Sequence, residues 1–310
     1  VLKNKTILIT GGAGFIGSSI VERLRKDNKL IVLDNFTTGS LQNLEGMEDV
    51  IIREGDCRDV TMLVPEKTDI IFHLGIASTT TLYLNNKKLV ADEIEGSIAI
   101  YEKAVRDDTK VIVASSSSLY SGGGLPSKEN QKIGVTDFYT ECRLTIERLA
   151  ELYSNLYGLR AICLRLFAVY GGKRERAKKQ YANMVTKFIW AMQKGERPVS
   201  YGDGLQTRDF TYIEDTVSAF LLAAEYNTAF DIFNTGTGKN YTFNNVDIIL
   251  NKLMNTKLPM EYEDNPLKNF VFHTLADTQK AEEKLGFKAE YTLERGIKKI
   301  IDASNGRKEE

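Results

Sequence analysis

The stretch Ile7–Leu24, ILITGGAGFIGSSIVERL, sets Gly11, Gly14 and Gly17 between an apolar, β-branched run and a segment whose apolar residues recur at helical spacing. The turn after a strand needs a residue without a Cβ, a ligand phosphate must approach the backbone at a helix N-terminus, and a third glycine lets helix and strand pack closely. A glycine triplet alone marks only a tight turn. Here a strand precedes it, a helix opens at Phe15 and Ile16, and Asp34 closes the next apolar run 17 residues beyond Gly17, so the pattern predicts a dinucleotide site. The Asp34 carboxylate can accept from both adenosine ribose hydroxyls and would repel a 2′-phosphate. No arginine follows it before Arg53, which favours NAD over NADP.

Outward from this stretch, short β-branched runs alternate with helix-length segments. LIVLD, DVIIRE, DIIFHL, KVIVASSS and RAICLRL are interleaved with helical patterns that include Asp92–Arg106 and Thr136–Tyr157. Continuous apolar strands with helices between them bury both faces of a parallel sheet, so the fold class is α/β, a doubly wound parallel sheet. After Leu166 the texture changes to the basic loop GGKRERAKKQ, a helix over about Asn183–Lys194, the short PVSYGDG, and a further strand–helix–strand. At 310 residues a large domain with a smaller lobe, or two domains, is expected.

Forty-one basic and 42 acidic residues leave a net charge of −1, which removes any global reason to expect a nucleic acid or an anionic membrane as partner. Cys57, Cys142, Cys163, His73 and His273 are scattered without ligand spacing, so neither a metal nor a disulfide framework is expected. No apolar run approaches ~18 residues, and the first one meets a glycine at residue 11, too soon for a secretory core. The expectation is a soluble protein of a reducing, cytoplasmic compartment.

Taken in order, the motifs resemble the NAD-dependent epimerase/dehydratase family of extended short-chain dehydrogenases/reductases, and most of all its UDP-sugar 4-epimerases. The resemblance runs from TGGAGFIG and LDNFTTGS through IFHLGIAS, ASSSSLYS and LRLFAVYGG to YGDGLQTRDFTYIEDT, FNTGTG and LADTQKAEEKLGF. It implies a Rossmann domain over 1–168, completed by about 208–235, and a C-terminal nucleotide-sugar-binding lobe from 169–207 and 236–310. It implies NAD as a tightly held prosthetic group, contacted by Gly11, Gly14, Phe15, Ile16 and Gly17, by Asp34, Asn35, Phe36, Thr38 and Gly39, by Cys57, Leu74, Gly75, Ile76, Glu93 and Ala114, and by Tyr139 and Arg143, the last against the nicotinamide ribose. Asp56, beside Cys57 at the end of DVIIREGD, suits the adenine amino group, and equally suits a helix cap.

For catalysis the resemblance implies Ser116, four residues before Tyr120, and Tyr139 with Arg143. A phenol of ordinary pKa ~10 acts as a base near neutrality only beside fixed positive charge. Tyr139 would remove the sugar 4-hydroxyl proton, Ser116 would bond the same oxygen, and a transient 4-keto sugar would turn and be reduced on its other face. Arg143 stands where the family carries lysine; it keeps the charge but not the geometry. Glu93 and Ala168 each stand where relatives carry asparagine.

The implied substrate contacts are Ser78, Ala168 at a position that meets the diphosphate, Asn183 and Met184 near the diphosphate and uracil, Val199 and Tyr201 flanking the uracil, and Arg208 on the diphosphate. The family's arginine and aspartate before ADTQKA are absent, Leu267 and Phe270 holding those places, and Lys268 could substitute. Lys173–Lys179 reads as a solvated loop, one of whose charges could reach the diphosphate. Thr274 occupies a position where a bulky residue restricts relatives to plain hexoses, so UDP-N-acetylglucosamine and UDP-N-acetylgalactosamine are expected substrates beside UDP-glucose. Ser117 and Ser118 follow Ser116 where dehydratases carry acids. The alternatives are another nucleotide-sugar reductase or epimerase, or a catalytically degenerate NAD- and sugar-nucleotide-binding protein. Apolar residues on more than one face of the two long helices, which pair across a dimer in relatives, predict a homodimer.

Overall fold

The computed structural model describes residues 2–265 and 271–305. In β1 (Thr6–Thr10) the side chains alternate between two cores: Ile7 and Ile9 enter one, Leu8 the other, and all three are fully buried. The period of two explains why an unbroken apolar run is needed, since both faces of the strand are inside. The same division recurs in β2 (Lys29–Asp34), with Val32 on the side of Ile7 and Ile31 and Leu33 on that of Leu8. It continues through the neighbouring strands, so each fully buried aliphatic contributes about 1.5–3 kcal/mol to one face or the other.

β3 (Ile51–Glu54), β4 (Ile70–His73), β5 (Lys110–Ser116) and β6 (Arg160–Leu166) complete the run, and the strand Phe230–Thr235 adds the edge. The order is β3-β2-β1-β4-β5-β6 and then Phe230–Thr235, with every neighbouring pair parallel. This is the doubly wound Rossmann sheet that the sequence predicts, seven strands wide, its last strand drawn from the 208–235 segment.

Helices cover both faces. α1 (Phe15–Leu24) and the helix Ile213–Glu225 pack on the side of Ile7; the long helices Leu89–Asp107 and Phe138–Tyr157 pack on the side of Leu8. The latter helix begins two residues later than its apolar pattern, because Asp137 and Thr140 form a reciprocal capping box, and it ends at Gly158 with φ +71°. Beyond β6 lie a 3-10 segment Lys173–Tyr181, the helix Met184–Gln193, and two small two-stranded sheets, Val199–Tyr201 with Glu261–Glu263 and Thr207–Arg208 with Tyr241–Thr242. Among the described residues no helix is long and apolar enough to cross a membrane.

Candidate active site

A cleft of about 840 Å³ opens at the C-terminal ends of β1 to β6. Its floor is the turn into α1. Gly11 has φ +66°, and a Cβ there would sit 2.7 Å from the Leu74 carbonyl carbon; at Gly17 a Cβ would meet the Gly11 oxygen at 2.2 Å. Gly14 caps α1 with no side-chain acceptor, so the helix N-terminus is not closed by its own sequence. Asp34 ends β2 with Oδ2 accepting the Ala13 N–H (2.9 Å) and Oδ1 the Phe36 N–H (2.8 Å); burial pushes its pKa up against these bonds. This cradle and its terminal carboxylate fit a dinucleotide.

Asn35, Thr38, Gly39, Leu74, Gly75, Ile76, Glu93 and Ala114 also line the cleft. Phe36 does not: at φ +55° its ring packs on the core, and its backbone alone supports Asp34. Asp56 lines the cleft but caps the following turn through the Arg58 N–H (3.0 Å) and pairs with the Arg58 guanidinium (2.9 Å), the helix-cap alternative realised. Cys57 Sγ donates to Gly75 O (3.6 Å), and burial raises the thiol's pKa.

Ser116 ends β5 and Tyr139 and Arg143 lie one turn apart on the Phe138–Tyr157 helix; all three line the same cleft and are nearly buried. Ser116 Oγ accepts the Ser118 N–H and donates to Ser118 Oγ, both at 3.1 Å. The Arg143 guanidinium carbon is 5.2 Å from the Tyr139 ring centroid. Its Nη1 donates to Ala114 O (2.6 Å) and its Nη2 to Ala77 O (2.9 Å) and Ile76 O (3.2 Å), while Nε is buried with no partner among the described residues. An orphaned buried donor beside a phenol fits a site that takes a polar ligand. Burial opposes the Arg143 charge, but Tyr139, Tyr83, Cys142 and Glu93 outweigh it and raise the pKa.

Ser78, Ala168, Asn183, Arg208 and Thr274 line the same cleft. Asn183 lines it, yet its amide is committed: Nδ2 donates to Ala168 O (3.1 Å) and Val169 O (3.2 Å), and Oδ1 caps the next helix through the Val185 N–H. Met184 packs on the core, and Val199 and Tyr201 are exposed on their strand outside the cleft. Lys268 lies outside the described residues. Arg208 donates to Thr207 O (2.8 Å) and Phe272 O (3.0 Å), and burial pushes its pKa down to about 10. The Thr274 hydroxyl accepts the Asp209 N–H (3.1 Å). Ala168 has φ +29°, a backbone region that favours glycine and asparagine.

Sequence reasoning missed two contributors, Arg58 and Asp92, and left a third, a charge of the Lys173–Lys179 segment, as an alternative to a solvated loop. Lys178 lines the cleft instead of lying in a solvated loop, because Glu175 is fully buried and anchors the segment, accepting from Gly171 N (2.9 Å), Asn183 N (2.6 Å) and Thr186 Oγ1 (2.5 Å). Arg58 and Asp92, paired at 3.1 Å, line the end near Asp34. No period or motif marks any of them.

The model of the NAD dependent epimerase/dehydratase family matches residues 7–236. A Methanocaldococcus jannaschii protein with a provisional UDP-glucose 4-epimerase name is 33% identical over 302 residues, 96% of this chain and 97% of that one. The UDP-N-acetyl-α-D-glucosaminuronate decarboxylase of Bacillus cytotoxicus is 31% identical, over 96% of this chain and 97% of its own. The solved UDP-N-acetylglucosamine 4-epimerase of Methanobrevibacter ruminantium, in complex with UDP-N-acetylmuramic acid, superposes with a TM-score of 0.92 at 29% identity, covering 99% of this chain and 100% of that one. With the glycine cradle, the Asp34 carboxylate and the parallel sheet already in place, the chain belongs to the NAD-dependent epimerase/dehydratase family, and NAD is its cofactor.

Proposed function

We propose that this chain is a UDP-sugar 4-epimerase that interconverts UDP-N-acetylglucosamine and UDP-N-acetylgalactosamine and also accepts UDP-glucose. The observation that carries the reading is the convergence of Ser116, Tyr139 and Arg143 on one cleft, with serines at 117 and 118 where elimination of water calls for acids. NAD, when bound, supplies the two-electron redox step at sugar C4. Tyr139 takes the proton from the 4-hydroxyl, Ser116 holds the same oxygen, and Arg143 provides fixed positive charge beside the phenol. Once the 4-keto sugar has turned, Tyr139 returns the proton to the opposite configuration. Arg208 and Lys178 are the cations that would meet the diphosphate. Thr274 is small enough to leave room for a 2-acetamido group.

The lobe formed by 169–207 and 236–310 would carry the nucleotide sugar. Leu152, Leu156 and Tyr157 are exposed on the outer face of the Phe138–Tyr157 helix, which supports a homodimer through the two long helices. Light scattering is expected to give the dimer mass, and a monomer refutes it.

A second reading, oxidation at C4 followed by decarboxylation of a UDP-uronate, is favoured by the 31% identical decarboxylase. One experiment separates the two. The purified protein is incubated with UDP-N-acetylglucosamine, without added NAD, and inversion at C4 is followed by NMR. Inversion is expected, and Tyr139→Phe is expected to slow it by about 10²–10⁴-fold. Carbon dioxide release from a UDP-uronate, with no inversion of the neutral sugar, supports the decarboxylase instead. Turnover of UDP-galactose alone overturns the role given to Thr274.

A further inference from the structure

Two charged side chains from different helices meet on the wall of the cleft, at the turn that follows β4. Glu93, on the Leu89–Asp107 helix, accepts the Ala77 N–H through Oε1 (2.9 Å). Arg143, on the Phe138–Tyr157 helix, donates through Nη2 to Ile76 O (3.2 Å) and Ala77 O (2.9 Å). The N–H and the C=O of the single peptide unit joining Ile76 to Ala77 are therefore held from opposite ends, by a carboxylate and by a guanidinium. A peptide is polarisable along that axis, so charge on the acceptor of its N–H strengthens the bond at its carbonyl. Ile76, Ala77 and Ser78 themselves line the cleft beside Tyr139.

We infer, resting on Tyr139 and Arg143 being the working pair proposed above, that Glu93 is a positioning residue whose ionised carboxylate holds the Ile76–Ala77 peptide against Arg143 and so places the guanidinium beside Tyr139. Burial pushes the Glu93 carboxyl up to about 7, against the pull of the Ala77 N–H and the Arg143 cation and with the help of Asp56 and Asp92. The other titratable groups that face it, Cys57, Tyr83 and Cys142, are each raised by burial and stay protonated across neutrality. Glu93 thus changes charge in the range where turnover is measured, and Arg143 registers the change through the shared peptide and through the direct interaction of the two charges.

The test compares wild type, Glu93→Gln and Glu93→Asp from about pH 5.5 to 8.5, with two readouts. Glutamine keeps an acceptor for the Ala77 N–H and cannot ionise. In wild type, kcat for UDP-N-acetylglucosamine is expected to rise about three- to tenfold through neutrality with KM nearly constant; Glu93→Gln loses this limb and stays at the acid level, and Glu93→Asp regains part of it. The second readout needs no turnover: the fluorescence of bound NADH is expected to show a transition near the same pH in wild type and none in Glu93→Gln. If wild type turns over no UDP-sugar yet shows the fluorescence transition, and Glu93→Gln lacks it, the epimerase reading fails and the role of Glu93 stands. If Glu93→Gln keeps the wild-type transition in kcat and in fluorescence, the role of Glu93 is overturned.

Discussion

Two buried arginines are tied to the Phe138–Tyr157 helix, and they are held in opposite ways. Arg165, on β6, reaches across to Glu147 of that helix in a bidentate pair, Nε to Oε1 at 2.9 Å and Nη2 to Oε2 at 2.6 Å. Its Nη1 donates to the Tyr120 hydroxyl (2.8 Å) and Glu129 O (3.1 Å), and Ser115 Oγ donates to the same Glu147 carboxylate (2.5 Å). Arg143, one turn before Glu147, contacts carbonyl oxygens and leaves Nε without a partner among the described residues. Every nitrogen of the first guanidinium has a carboxylate, hydroxyl or carbonyl partner, so it fixes helix to sheet. The second is only partly satisfied and lies against a phenol, so it retains the capacity to act on a ligand.

The contrast breaks most visibly at Glu147. Glu147→Leu strands a buried guanidinium and is expected to lower unfolding free energy by about 3–5 kcal/mol, read as a fall in urea midpoint at saturating NAD. Adding Arg165→Met to that variant should recover much of the loss, since an apolar pair of similar volume needs no counter-charge. A double variant no more stable than Glu147→Leu would mean that the pair stabilises through its neighbours Tyr120 and Ser115.

A third basic group sharpens the comparison because it is kept neutral. His73 is buried at the end of β4, with Thr10 Oγ1 2.8 Å from Nδ1 and Ser97 Oγ 3.0 Å from Nε2. Burial, and then the Arg143 charge, lower its pKa to about 3. Its folded value lies below its unfolded one, so the unfolded chain binds the extra proton and stability falls as pH drops below about 6.5. Glu93 has the opposite sign: its raised pKa adds stability as pH falls through 7. Comparing wild type with His73→Gln cancels the Glu93 contribution. Between pH 7 and 5 the wild type should lose about 2 kcal/mol more than the variant, and parallel urea-midpoint curves would contradict the burial of a neutral ring.

The sheet was legible because its central strands are buried on both faces: Ile7, Leu8 and Ile9 need no tertiary context to read as interior, whereas the edge strand β3 leaves Ile52 and Glu54 exposed. Gly11, Gly17 and Asp34 were legible for a related reason, since their backbone and charge requirements follow directly from the turn they make. Away from the sheet the signal fails. Alternation puts Val199 and Tyr201 on one face of a strand but does not say whether that face meets the cleft. Asn183 carries the right chemistry for a phosphate, yet only the fold shows its amide bonded to Ala168 and Val169. Lys178 enters the cleft because Glu175 is buried, and two short 3-10 turns broken by a kink at Lys179 (φ +47°) have no periodicity from which to foresee that.

The smallest expected effect tests the difference between the arginines directly, as a coupling energy. Arg165 and Glu147 touch, so their double-mutant cycle should return an interaction near the upper end of the usual range, about 3 kcal/mol. Arg143 and Glu93 do not touch; they share the Ile76–Ala77 peptide and feel each other's charge, so their coupling passes through its polarisation and through direct electrostatics. Arg143→Lys loses the reach from Ala114 O to Ile76 O and Ala77 O that a fork-shaped cation provides, and Glu93→Gln removes the charge at the far end of the same peptide. Measured on kcat above neutral pH, the double variant should lose less than the product of the two single losses, by a factor corresponding to about 1 kcal/mol. The same cycle measured near pH 5.5, where Glu93 is protonated, should approach additivity. Coupling that persists undiminished in acid would show that the two side chains communicate through packing and not through the charge on Glu93.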